Sequence, residues 1–190
     1  MRDAGYRAID SLSAEKGYRH WHADLSNSDT PLEAGIGFTV LPRLKRAAAA
    51  VAAAEKEAAE GEGGEGDDFL GMAALVAQRA GGVRRKLICL ELESADVALH
   101  GLETIWRDGE CVGYVRSTAF GHSVGRTICY GYVRNAPGGG GGGEAGGKVT
   151  NKWLKAGGSW EIGDKGVRHA AALRLKAPFD PTNQRVKGVY

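Results

Sequence analysis

The sequence predicts an α+β protein that divides near residue 83 into an α/β part and an all-β part. Three observations lead there. Before residue 83, apolar residues recur at helical spacing, whereas beyond Arg84 they alternate with period two. Two tetrapeptides, Arg107-Asp108-Gly109-Glu110 and Gly163-Asp164-Lys165-Gly166, lie between strand-like runs and signal hairpins. The chain has 190 residues, 43% of them hydrophobic, which is enough to bury a core and too apolar for a wholly disordered polymer.

In chain order, Asp3 to Glu15 reads as an amphipathic helix, with Tyr6, Ile9 and Leu12 recurring on one face and Gly17 as the residue that ends it. Leu32 to Val40, set up by Thr30-Pro31, reads as a strand or an extended run. Phe69 to Ala80 forms a second short helix that stops at Gly81-Gly82. Ile88, Leu90 and Leu92 then alternate with Cys89 and Glu91 along a strand, Thr127 to Val133 supplies another, and each hairpin supplies two more. Short strands at this spacing make a small antiparallel barrel or a sandwich.

Two low-complexity runs interrupt the pattern: 47–68, alanine- and glutamate-rich before turning to Gly/Glu repeats, and 137–147, nearly pure glycine. Both read as loop insertions, where added length costs little. The first holds seven acids and one base, a net −6, so the formal total of +2 leaves +8 on the remainder. A moderately basic body suits an anionic ligand such as a polyglutamate or a phosphate, and equally a solvated surface. The overall balance gives no footprint for nucleic acid, and no run approaches the roughly 20 apolar residues of a membrane helix.

Cys89, Cys111 and Cys129 are too few and too scattered for a disulfide framework or a metal-binding Cys-x-x-Cys pair. Cys89 and Cys129 sit within apolar strands and read as buried, reduced thiols, which implies a reducing compartment. The first residues form neither a signal peptide nor a transit peptide. The sequence opens straight into an amphipathic helix, as a segment cut from something longer would.

Catalytic motifs are scarce. Gly121-His122-Ser123-Val124-Gly125 superficially resembles a nucleophile elbow, but it lies between two expected strands rather than at a strand-to-helix turn, and reads as a loop. His20 and His22 could flank a metal, yet a third ligand at useful spacing is absent, and a loop locked by Trp21 and hydrogen-bonded histidines is the simpler reading. Glu15 closes a helix beside a glycine and an aromatic residue. Its carboxylate could accept two N–H bonds from a 2-amino-4-oxo ring of the pterin type, although on the residues alone a solvated helix-end glutamate is simpler.

The run from Gly5 to Leu25, carrying Leu12-Ser13-Ala14-Glu15-Lys16-Gly17-Tyr18-Arg19-His20-Trp21-His22, closely resembles the sarcosine and dimethylglycine dehydrogenase family in its C-terminal tetrahydrofolate-binding region. That region is in turn similar to the T-protein (aminomethyltransferase) of the glycine cleavage system. The likeness continues through Thr30–Phe38, Phe69-Leu70-Gly71, Arg84–Leu87, Gly101–Gly109, Leu175–Pro181 and Arg185–Tyr190, and so spans nearly the whole chain apart from the two insertions.

The resemblance implies a partial α/β folate-binding, T-protein-like domain over 1–83, followed by a small antiparallel Greek-key β-barrel over 84–190. It implies a divided enzyme, in which an N-terminal portion binds FAD and oxidises an N-methyl amine. The C-terminal portion holds tetrahydrofolate, which captures the one-carbon unit as 5,10-methylenetetrahydrofolate. Within the family's Leu-x-x-Glu-x-Gly pattern, Glu15 takes the place of the glutamate that grips the pterin. Arg43, eleven positions after Leu32, takes the place of a folate-contacting arginine. There, Leu41-Pro42 departs from the family's Gly-Lys, and Lys45 or Arg46 could substitute. The family's catalytic aspartate and flavin-binding glycines fall before Met1, so no catalytic residue is expected in this chain, and its partners are the folate ligand and the remainder of the parent polypeptide. Relatives are mitochondrial, which points to the matrix. The alternative is a non-catalytic relative resembling the pyruvate dehydrogenase phosphatase regulatory subunit. A tRNA-modification accessory protein of the same superfamily would not be expected to carry the Arg185–Tyr190 ending.

Overall fold

The computed structural model describes residues 4–46, 69–135 and 146–189, so the bulk of both low-complexity runs lies outside the described residues. Helix α1 spans Tyr6–Lys16, α2 Met72–Gly81 and α3 Asn151–Lys155. The strands are β1 (Arg85–Leu92), β2 (Thr104–Arg107), β3 (Glu110–Gly121), β4 (Arg126–Arg134), β5 (Trp160–Asp164) and β6 (Val167–Arg174). They close into an antiparallel barrel in the order β1-β4-β3-β2-β5-β6. β2, β3 and β4 run as a meander while β1 pairs with β4 across a long connection, which is a Greek key.

Both expected hairpins form. Their central pairs, Asp108-Gly109 and Lys165-Gly166, all have positive φ (51°, 83°, 48° and 82°), the geometry whose twist matches that of the flanking strands. The barrel interior is filled by Ile88, Leu90, Leu92, Ile105, Val115, Val133 and Ile162 among others. A second cluster, Leu87, Cys89, Ile128, Tyr130 and Tyr132, covers the outer face of β1 and β4. These two strands are therefore buried on both sides, which is why Leu87–Leu90 is a continuous apolar run rather than a strict alternation. At Gly147, the end of the glycine-rich run, the chain bridges back to Asn135.

The helix begins at Tyr6, after Ala4 and Gly5, rather than at Asp3, but its C-terminal end is as expected: Gly17 is left-handed (φ 72°), and the N–H groups of Gly17 and Tyr18 donate to Ala14 and Ser13. The apolar stripe does not face the barrel. Tyr6, Ile9 and Leu12 are exposed, whereas Ser11 and Glu15 are buried. The rim of the barrel presents backbone groups and a phenol to the helix, and polar contacts satisfy them. Ser11 Oγ donates to the carbonyl of Phe120 (2.7 Å), Tyr130 donates its hydroxyl to Ala14 (2.7 Å), and Phe179 donates its N–H to Glu15 (3.0 Å).

The expected strand over Leu32–Val40 is also corrected. Residues 31–35 are turns and Gly37–Thr39 is a 3₁₀ turn. Thr30 and Glu33 cap each other reciprocally: the Thr30 N–H donates to Glu33 Oε2 (3.2 Å) and the Glu33 N–H to Thr30 Oγ1 (3.3 Å). With Pro31 next to the capping Thr30, this Thr-Pro-Leu-Glu segment makes a capping-box pair of hydrogen bonds that turns the chain instead of extending it. Residues 41–46 are helical, and Leu44 is buried with Met72 and Leu75 of α2.

Cys89 and Cys129 are buried free thiols and Cys111 is half-buried. Burial pushes the Cys89 thiol up to about 12 and the Cys129 thiol well above its usual range. Only the thiolate attacks a disulfide reagent. At pH 8 the folded chain is expected to give one fast-reacting thiol, Cys111, and two that react only on unfolding. Three equally fast thiols would contradict this packing.

Candidate functional site

Glu15 occupies the last turn of α1, where the helix meets the β3–β4 turn. It is 1% exposed. Its Oε1 accepts the N–H of Ser123 at 2.6 Å, and its Oε2 is buried with no hydrogen-bond partner among the described residues. The contact crosses 108 positions of sequence. Gly121 makes it possible, because a Cβ there would lie 3.3 Å from Oε1 and 2.6 Å from Ile128 Cδ1. The Gly121–Gly125 segment, read from sequence as a loop, is the turn that holds this carboxylate. Glu15 is therefore not a solvated helix end. A buried acceptor left open is costly, and it can be completed by an N–H donor from a ligand.

Beside it, residues 18–24 arch over β3 and enclose a cleft of about 480 Å³, walled by Tyr18, His20, Trp21 and His22 on the loop and by Ser117 and Tyr130 on the barrel. Trp21 and the histidine side chains were expected to lock this loop, but Trp21 is exposed and the residue that locks it is Asp24, 1% exposed. Asp24 accepts the His20 N–H (3.0 Å) and the Ser117 hydroxyl, while Arg116 Nε donates to the carbonyl of Ala23 (3.0 Å). An Asp closing a tight loop on its own backbone is a recognisable signal, but its second partner on β3 is not visible in sequence. The imidazole Nε2 of His20 is buried and unpartnered among the described residues. Burial, then the neighbouring Cys89, push the Tyr130 phenol up, so it remains the hydroxyl that holds α1 in place. Among the described residues, no three His, Cys, Asp or Glu side chains are grouped to hold a metal ion.

Arg43 lies elsewhere. It is exposed on the helical segment 41–46, its N–H donating to Val40 (3.1 Å), and Lys45 and Arg46 are exposed beside it. This segment packs through Leu44 onto α2, whereas Glu15 belongs to the barrel rim, so the two expected folate contacts sit in separate packing units.

The described geometry is a β-barrel whose outer face carries a polar-faced helix and an open buried carboxylate. The glycine cleavage T-protein C-terminal barrel domain matches residues 85–180, just over half of the chain. The chain belongs to this family. The T-protein N-terminal domain matches residues 1–43, the part that contributes Glu15. Mitochondrial sarcosine dehydrogenase of Mus musculus is 47% identical over 188 residues, covering 99% of this chain and 17% of the relative. Mitochondrial dimethylglycine dehydrogenase of Homo sapiens is 31% identical over 129 residues, covering 68% of this chain and 12% of that protein. The chain thus spans less than a fifth of the length of these curated relatives. The crystal structure of glycine cleavage system aminomethyltransferase T from Bartonella henselae superposes with a TM-score of 0.60 at 20% identity, over 90% of this chain and 38% of that one, and shows the same fold. Among the described residues no helix is long and apolar enough to cross a membrane.

Proposed function

We propose that this chain is the tetrahydrofolate-binding end of a flavin-dependent, sarcosine or dimethylglycine dehydrogenase-like protein of the mitochondrial matrix. Residues 1–83 would close an aminomethyltransferase-like folate domain, and 84–190 would be the barrel that covers it. The observation that carries the reading is the open Oε2 of Glu15 in a chain that matches the T-protein pattern on both sides of it. The 2-amino-4-oxo ring of a pterin offers adjacent N–H donors, and a buried carboxylate with one oxygen unpaired can accept from them. Arg43, exposed on its helical segment, would serve the anionic end of the same ligand.

When bound, tetrahydrofolate supplies the amine that takes up the one-carbon unit, giving 5,10-methylenetetrahydrofolate. FAD would be held by the remainder of the parent polypeptide, as would the catalytic aspartate. This chain's own contribution is then to grip the ring, fix its orientation relative to the rest of the enzyme, and exclude water from a reactive carbon.

The native gene product tests this through its intact mass and visible spectrum. A polypeptide several times this length with a flavin spectrum is the expected result. A stand-alone, colourless protein of 20.0 kDa would overturn the oxidase part and favour an interaction role, like that of the pyruvate dehydrogenase phosphatase regulatory subunit.

A further inference from the structure

A second cavity, of about 250 Å³, shares the Tyr130 wall with the 480 Å³ cleft and lies between the end of α1, strand β1 and the segment that leaves β6. Five cationic side chains line it: Lys16, Arg19, Lys86, Arg174 and Lys176. They are brought together from three stretches of sequence, so their convergence is a product of the fold and not of a local basic run.

Two of the five are neutralised. Lys16 pairs with Asp180 at 3.2 Å, and Arg174 pairs with the buried Glu91 at 2.6 Å. The other three have no carboxylate partner among the described residues. Arg19 spends its donors on the carbonyl oxygens of Ala34 and Gly17 and stacks over Tyr130 at 4.9 Å. Lys86 donates to the neutral Oδ1 of Asn151 at 2.7 Å. Lys176 stands exposed where the chain leaves β6.

Gathering three uncompensated cations around one concave, partly desolvated space is unfavourable by itself. Burial pushes the Lys86 ammonium down, the direction expected of a cation held without a counter-charge. The flexible lysine heads and the fixed guanidinium of Arg19 match carboxylate or phosphate oxygens, and several charges focused into one recess raise local anion concentration.

We propose that this cavity binds a compact polyanion, a ligand carrying two or more carboxylate or phosphate groups. The site is separate from the Glu15 carboxylate and does not depend on a pterin being bound.

The test is calorimetric titration of the native gene product, at fixed ionic strength near 0.15 M, with γ-linked triglutamate in one arm and inorganic pyrophosphate in the other. Saturable binding in either arm is expected, and the arm that saturates identifies carboxylate or phosphate as the natural chemistry. Lys86→Gln combined with Lys176→Ala should weaken that binding at least tenfold. Lys155→Ala, a cation on α3 that does not line the cavity, should leave it within twofold. Neither Lys176 nor Lys155 is buried, and Lys176→Ala alone, expected to lose at least threefold, covers the case in which Lys86→Gln disturbs β1. Absence of saturation in both arms would overturn the proposal. So would binding that all the variants reduce equally, which would mean a diffuse surface charge.

Discussion

Gly131→Ala is expected to destabilise the barrel by about 3 kcal/mol, the upper end of the usual cost of overpacking a core. Gly131 sits in the middle of β4, paired with Ile88 of β1 on one side and Val115 of β3 on the other. A Cβ there would meet Ile105 Cδ1 at 2.5 Å and the carbonyl oxygen of Tyr114 closer still. Ile105 is fully buried and cannot swing away, and the Tyr114 carbonyl belongs to the neighbouring strand. Relief therefore requires β3 and β4 to part. Gly125→Ala is the control. Gly125 has positive φ (71°) and open space around it, so alanine there pays only the left-handed backbone cost, on the order of 1 kcal/mol. Urea denaturation of the 190-residue chain measures both. A loss below 1 kcal/mol at Gly131, or equal losses at the two glycines, would contradict the strand packing.

Glu15→Gln is expected to weaken tetrahydrofolate binding by about 1–3 kcal/mol, a loss of roughly 5- to 150-fold, as for removal of a hydrogen bond to a charged group. The amide has the shape of the carboxylate, can still accept the Ser123 N–H through one oxygen, and leaves the backbone link to Phe179 intact. The fold should survive. What is lost is the second acceptor: Oε2, buried and unpartnered, becomes an NH₂ that donates where the ligand also donates. Calorimetry on the native gene product, with thermal unfolding as a check on the fold, separates the two effects. Unchanged affinity with unchanged stability would remove Glu15 from the binding site. Gly121→Ala should act in the same direction, because its Cβ would press on both Ile128 and the Glu15 carboxylate.

Much of the barrel was legible because its signals are local. Asp108-Gly109 and Lys165-Gly166 require positive φ wherever they occur in a hairpin, and period-two runs on either side leave little choice of pairing. Gly17 was legible as a helix end for the same reason. The failures came where the partner decides. Tyr6, Ile9 and Leu12 form an apolar stripe, but the barrel rim offers carbonyls and a phenol, so Ser11 and Glu15 turn inward. Hydrophobic periodicity names a stripe and not what it meets. Thr30-Pro31 reads as the set-up for an extended run over Leu32–Val40, but Thr30 and Glu33 cap each other and turn the chain instead.

Glu15 is a candidate only through resemblance, because nothing local in the sequence distinguishes a buried glutamate from a solvated one at a helix end. Its partner Ser123 and the lock that Asp24 makes with Ser117 lie across the fold, 108 and 93 positions away, and no spacing rule reaches that far. The cationic cavity left only a trace in sequence, the excess of basic residues outside 47–68. Where those charges converge is set by the closure of β1 against β6 and by the helix that ends at Lys16.

Titration of tetrahydrofolate into the native gene product under anaerobic conditions is the decisive measurement of the proposed folate binding. Saturable binding of one equivalent, weakened by Glu15→Gln and unaffected by Lys155→Ala on α3, is the predicted result. A folded protein that takes up no tetrahydrofolate at millimolar concentration would contradict the claim and leave the barrel as a scaffold for interaction alone.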